Sequence, residues 1–120
     1  SPMSRTALTV TVLLLLSGLA CAEPPNPAAL RMESRKLFFA GKFDEAIAGF
    51  DRVEKLDPAA GPSLWERGLA FYYAGRYADA VKQFTGYDTV DKLDIENGLW
   101  HYLSLAEIDG VEAAGKKLLA

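Results

Sequence analysis

Residues 27–60 of this 120-residue chain reappear, shifted by 34 positions, as residues 61–94. Leu30 falls on Leu64, Ser34 on Gly68, Leu37, Phe38 and Phe39 on Phe71, Tyr72 and Tyr73, and Ala40 through Phe43 on Ala74 through Tyr77. Ala46, Ile47 and Phe50 fall on Ala80, Val81 and Phe84. A repeat of this length narrows the choice of fold sharply, because each copy must be one supersecondary unit that buries its apolar face only by stacking on the next. Residues 62–86 show what the unit is. Leu64, Gly68 and Phe71 share one helical face, Gly75 interrupts, and Tyr77, Ala80 and Phe84 share another. Apolar spacing of three and four residues on both sides of a glycine predicts two amphipathic helices packed antiparallel.

A third unit begins late. Leu99 through Leu103 align on the second copy at an offset of 36, with Trp100 on Leu64 and Ser104 on Gly68. Gly110 then takes the place of the turn glycine, followed by Gly115 and Leu119 at the spacing that Ala80 and Phe84 keep from Gly75. Glu112 stands where Tyr77 predicts an aromatic, which weakens the last helix. Helices are expected near 27–40, 43–56, 63–74, 77–87, 95–108 and 111–119. Small Ala46 and Ala80 let each second helix approach its first, Phe50 and Phe84 fill the gap to the next unit, and Pro58 ends the first unit.

The series Gly41-x-Phe43-x-x-Ala46-x-x-x-Phe50, closed by Leu56-Asp57-Pro58, and Gly68-x-x-Phe71 followed by Gly75-x-Tyr77-x-x-Ala80-x-x-x-Phe84, resemble the small-residue and aromatic positions of the tetratricopeptide repeat, whose period is also 34. The resemblance covers residues 27–120, most strongly through 86. It implies an all-α fold of helix–turn–helix repeats at 27–60, 61–94 and 97–120, stacked in a short right-handed superhelix of about two and a half to three repeats. It also implies a non-catalytic adaptor or scaffold that holds a protein or peptide partner in a concave groove. Residues 67–76 and 99–103 look like elements of bacterial envelope lipoproteins built from the same repeats. Leu118, Leu119 and Ala120 form no polar cap, which predicts either an end covered by a partner or a structural repeat segment of a longer chain whose function lies elsewhere.

Three stretches divide the chain: a signal peptide at 1–22, a spacer at 23–27 and the repeat domain at 28–120. Arg5 precedes the apolar run 7–16, and small residues occupy 17–22, which is the order of a secretory signal; the competing reading is an apolar tail packed on the domain. The run falls short of the roughly 20 residues that span a bilayer. Ala20-Cys21-Ala22 fits cleavage after Ala22, whereas Gly18-Leu19-Ala20-Cys21 resembles a bacterial lipobox that would leave Cys21 as the lipidated first residue. The protein is thus expected to be exported, and either periplasmic or anchored to the membrane by lipid at Cys21. Pro24, Pro25 and Pro27 predict a stiff, extended spacer.

Without the opening segment, 12 cations face 16 anions along the chain, which disfavours a nucleic-acid binder. The lone Cys21 forms no internal disulfide, and no cofactor or metal is expected. First-helix residues not buried within a pair would line the groove: Arg31 and Arg35, then Trp65, Leu69 and Tyr72, then His101, Tyr102 and Leu105. Trp, Tyr and Arg dominate binding hot spots. The competing reading has Trp65 and Tyr72 packing between repeats. Arg31 and Arg35, four apart, either grip a carboxylate or are solvated; the Lys and Asn carboxylate clamp of some relatives does not carry over. Asp88, Asp91, Asp94 and Glu96 lack the spacing of a calcium loop and suit capping of the fifth helix by Asp94. His101, the single histidine, has neither a second metal ligand nor a catalytic triad around it and reads as half-buried.

Overall fold

The computed structural model describes residues 23–119; the expected signal peptide at 1–22, with Cys21, and Ala120 lie outside the described residues. Among the described residues the chain is all-helical. Six α-helices follow one another: α1 (Pro27–Phe39), α2 (Phe43–Leu56), α3 (Trp65–Tyr73), α4 (Tyr77–Tyr87), α5 (Ile95–Asp109) and α6 (Val111–Leu119), with a 3-10 helix at Pro58–Ser63. Each helix end lies within two residues of its expected place. The 3-10 helix was not anticipated: the first unit hands over through six ordered residues, so α3 starts at Trp65. Pro27 opens α1, where the expected helix over 27–40 begins, so the helix takes in the last residue of the 23–27 spacer. Asn26 caps that helix, its Oδ1 accepting from the backbone N–H of Ala28 at 2.9 Å. Proline suits this first position, where its missing N–H would have had no helical partner.

The first two hairpins are closed by the same turn. Gly41 and Gly75 both have φ +77°. Gly41 N–H donates to Phe38 O and Lys42 N–H to Leu37 O, both at 2.9 Å; thirty-four residues on, Gly75 donates to Tyr72 O at 3.0 Å and Arg76 to Phe71 O at 2.8 Å. This pair of bonds satisfies the last carbonyls of a helix and requires a left-handed residue, which glycine supplies without strain. The third turn is different. Gly110 has φ 87° and ψ 160° and is the only residue between α5 and α6.

The core repeats as well. Ala46, Phe50, Ala80 and Phe84 are fully buried, and they join Phe38, Ile47, Val53, Leu64, Ala70 and Phe71 in one cluster. Close approach of α3 and α4 depends on Gly68, where an added Cβ would lie 2.5 Å from the Phe84 ring.

Polar side chains tie the hairpins to one another. Arg67 on α3, only 11% exposed, donates from Nε to Gln83 Oε1 at 2.7 Å and from Nη1 to Asp51 Oδ1 at 3.0 Å and to Glu54. Gln83 in turn donates to Gly61 O at 3.1 Å, which fixes the 3-10 helix between α2 and α4. At the next junction the buried Asn97 donates to Phe84 O at 3.1 Å and to Asp88 Oδ1 at 2.8 Å. Asp94 caps α5 by accepting from Asn97 N–H at 3.1 Å, the role its position implied.

Candidate functional site

Of the eight residues expected to line a groove, six keep side chains at least partly open to solvent: Arg31, Arg35, Trp65, Tyr72, His101 and Tyr102. Leu69 and Leu105 do not. They are 9% and 8% exposed, and Leu69 belongs to the main core cluster. Each follows a buried small residue in the chain, Gly68 or Ser104, so both flanks of these helices are covered. They are corrected from groove residues to packing residues.

Arg31 and Arg35 are brought together by a residue that sequence reasoning missed. Glu66, on the first turn of α3, lies 3.6 Å from Arg31 Nη2 and 3.7 Å from Arg35 Nε. Arg31 also donates to Ser63 O at 2.8 Å and to Ser63 Oγ at 3.2 Å. Its bonds to Ser63 and the nearby Glu66 carboxylate make Arg31 a half-exposed strut between the first two hairpins. Arg35 is more open; its guanidinium sits 5.7 Å from the Phe39 ring centre. Within this trio two cations face one carboxylate.

Trp65 and Tyr72 pack partly against the core. The indole N–H of Trp65 is buried without a hydrogen-bond partner among the described residues. Tyr72 sits in an aromatic cluster, with ring centres 5.2 Å from Trp100, 5.7 Å from Tyr73 and 5.4 Å from Tyr77. Its hydroxyl donates to Glu107 Oε1 at 3.2 Å, and burial together with that carboxylate raises its pKa. The cluster continues through Tyr73, stacked on Phe43 at 5.4 Å, to Phe38 at 6.1 Å. Edge-to-face and offset contacts at these distances hold rings beyond simple area burial. Trp100, which the repeat aligns on Leu64 and which was not among the expected groove residues, is thus a partner of Tyr72.

His101 faces elsewhere. Its Nε2 lies 3.4 Å from Thr85 Oγ1 on α4. Burial lowers its pKa, partly opposed by Asp88. Among the described residues no hydrogen bond, ion pair or ring contact joins it to the arginines or to Tyr72. The expected groove residues therefore form three spots: a cationic one at Arg31 and Arg35, an aromatic one at Tyr72 and Trp100, and His101 against α4.

A separate cleft of about 400 Å³ opens between α2, α3 and α4. Arg67 and Phe71 line it together with Asp51, Arg76, Asp79 and Lys82. Its charges largely answer one another: Arg67 is held by Asp51 and Glu54, and Arg76 by Asp79 at 2.9 Å while stacking on Phe71 at 4.7 Å. None of the expected groove residues reaches it. No protein-family model matches the chain, and no solved structure matches it.

Proposed function

We propose that the chain is a tetratricopeptide-type array acting as a non-catalytic adaptor, exported to the cell envelope and holding a protein or peptide segment along the first helices of its hairpins. One observation carries the reading. The residues that repeat at 34 are the turn glycines and the buried Ala and Phe of the core, whereas the part-exposed first-helix positions do not repeat: Arg31 is matched by Trp65, and Met32 by Glu66. A scaffold that keeps its frame and varies its lining is built for recognition, and part-exposed Arg, Trp and Tyr are the types that anchor partners. The two turns with the same φ and the same pair of hydrogen bonds support the repeat assignment. Export rests on the order of charged, apolar and small residues in 1–22.

Affinity capture from an envelope fraction tests the reading, with the native protein compared against Trp65→Ala/Tyr72→Ala and Arg35→Ala variants whose helicity is checked by circular dichroism. The expected result is a defined partner held by the native chain and lost from folded variants. Equal capture by all of them, or retention of the protein in the cytoplasm, refutes the corresponding half of the proposal.

A further inference from the structure

The connector after α4 and the first turns of α5 expose four aliphatic side chains within ten residues. Leu93 and Ile95 are each 89% exposed, and Val90 and Leu99 each 53%. Ile95 and Leu99 are four apart on α5 and therefore share a stripe, while Trp100 and Leu105 on the same helix pack inward. Scattered exposed apolar residues are ordinary, but four within ten residues, two of them in one helical stripe, point to a surface that another molecule covers.

Charge identifies the kind of molecule. Asp91, Asp94 and Glu96 are interleaved with the aliphatic residues, and Asp88 stands just before them; Lys92 is the one cation in the stretch. None of these acids forms a salt bridge among the described residues. Asp91 and Asp94 also raise the pKa of the neighbouring Tyr87 hydroxyl, after burial as the first cause. A second copy laid face to face on this surface would set acid against acid in a chain of net charge −3, and an anionic lipid surface would be repelled in the same way.

We propose that Val90, Leu93, Ile95 and Leu99, rimmed by Asp91, Asp94 and Glu96, dock a cationic amphipathic helix of another protein. The aliphatic residues receive its apolar face, and the carboxylates meet Lys or Arg along its edges. This surface uses none of the residues of the groove reading and stands or falls separately from it.

The test titrates the full chain with a synthetic fourteen-residue amphipathic helix of Leu and Lys, followed by calorimetry, beside the charge-inverted helix of Leu and Glu. Saturable binding of the Lys peptide is expected, at least tenfold tighter than that of the Glu peptide and weakened severalfold on raising salt. Leu93→Ser/Ile95→Ser should lose at least tenfold in affinity. Both positions are nearly fully exposed, so this variant folds. Asp91→Asn/Glu96→Gln should bind more weakly and lose most of the salt dependence, and Trp65→Ala/Tyr72→Ala should bind as the native chain does. Equal affinity of native and serine variants, equal binding of the Glu peptide, or a concentration-dependent dimer that the serine variant abolishes would each overturn the proposal.

Discussion

Replacing Gly68 by alanine sets two effects of known size against each other. Inside a helix, alanine is favoured over glycine by about 1 kcal/mol. At Gly68 the new Cβ would lie 2.5, 2.8 and 3.0 Å from three carbons of the Phe84 ring, which is fully buried and cannot swing into solvent. Overpacking of this kind costs about 1–3 kcal/mol. Gly98 on α5 provides the reference, since a Cβ there meets nothing within 4 Å. The propensity gain is common to both sites, so Gly68→Ala should be less stable than Gly98→Ala by about 1–3 kcal/mol, the overpacking term alone. In a domain of this size each kcal/mol moves Tm by about 4–8 °C, and urea melts monitored by far-ultraviolet circular dichroism resolve the difference. Phe84→Leu should cost less in the Gly68→Ala background than in the native one, because the smaller side chain makes room for the methyl group. Two alanine variants of equal stability would refute the claim that Gly68 is small for the sake of the α3–α4 contact.

Arg67→Met retains the apolar stem but removes the donors to Gln83, Asp51 and Glu54; because both carboxylates are about half exposed and water can replace the cation, the expected loss is about 1–2 kcal/mol in urea melts. His101 gives a pH dependence whose sign follows from its lowered pKa. Between the folded value and the ordinary 6.5 the unfolded chain binds more protons, so stability rises with pH across that window and falls as pH drops below 6.5. His101→Gln should flatten this component of a Tm-against-pH curve, and an unchanged curve would refute the assignment.

Helix positions were readable from the sequence because the apolar spacing and the turn glycines agree with each other. Leu64 and Phe84 could be placed in the core for the same reason. What periodicity does not reveal is which flank of a helix the next hairpin covers. Leu69 and Leu105 sit one position past the small residues of the contact, about 100° further round the helix, so their burial marks a second covered flank that the spacing of the first does not reveal. Glu66 and Trp100 escaped notice because their importance lies in what they meet, Arg31 and Arg35 in one case and Tyr72 in the other, and those partners stand more than twenty residues away. The 3-10 helix left a signal in Pro58 and Pro62, yet its order comes from Gln83 donating to Gly61 O, a contact between hairpins.

The polar ties between hairpins bear on a difficulty peculiar to chains made of copies. Ala46 and Phe50 cannot be told from Ala80 and Phe84 by shape, so a hydrophobic core alone would accept a hairpin from the wrong place in the chain, or from another molecule, nearly as well as the right one. Arg67 with Asp51, Glu54 and Gln83 occurs at one junction, and Asn97 with Phe84 O and Asp88 at the other. At the positions equivalent to Arg67 the first copy has Glu33 and the third has Leu103, and at those equivalent to Asn97 the first two copies have Pro27 and Gly61. A misplaced hairpin would bury these groups without partners, so the identity of each neighbour is encoded in the chemistry of the seam, while the repeated residues encode only that a neighbour is needed.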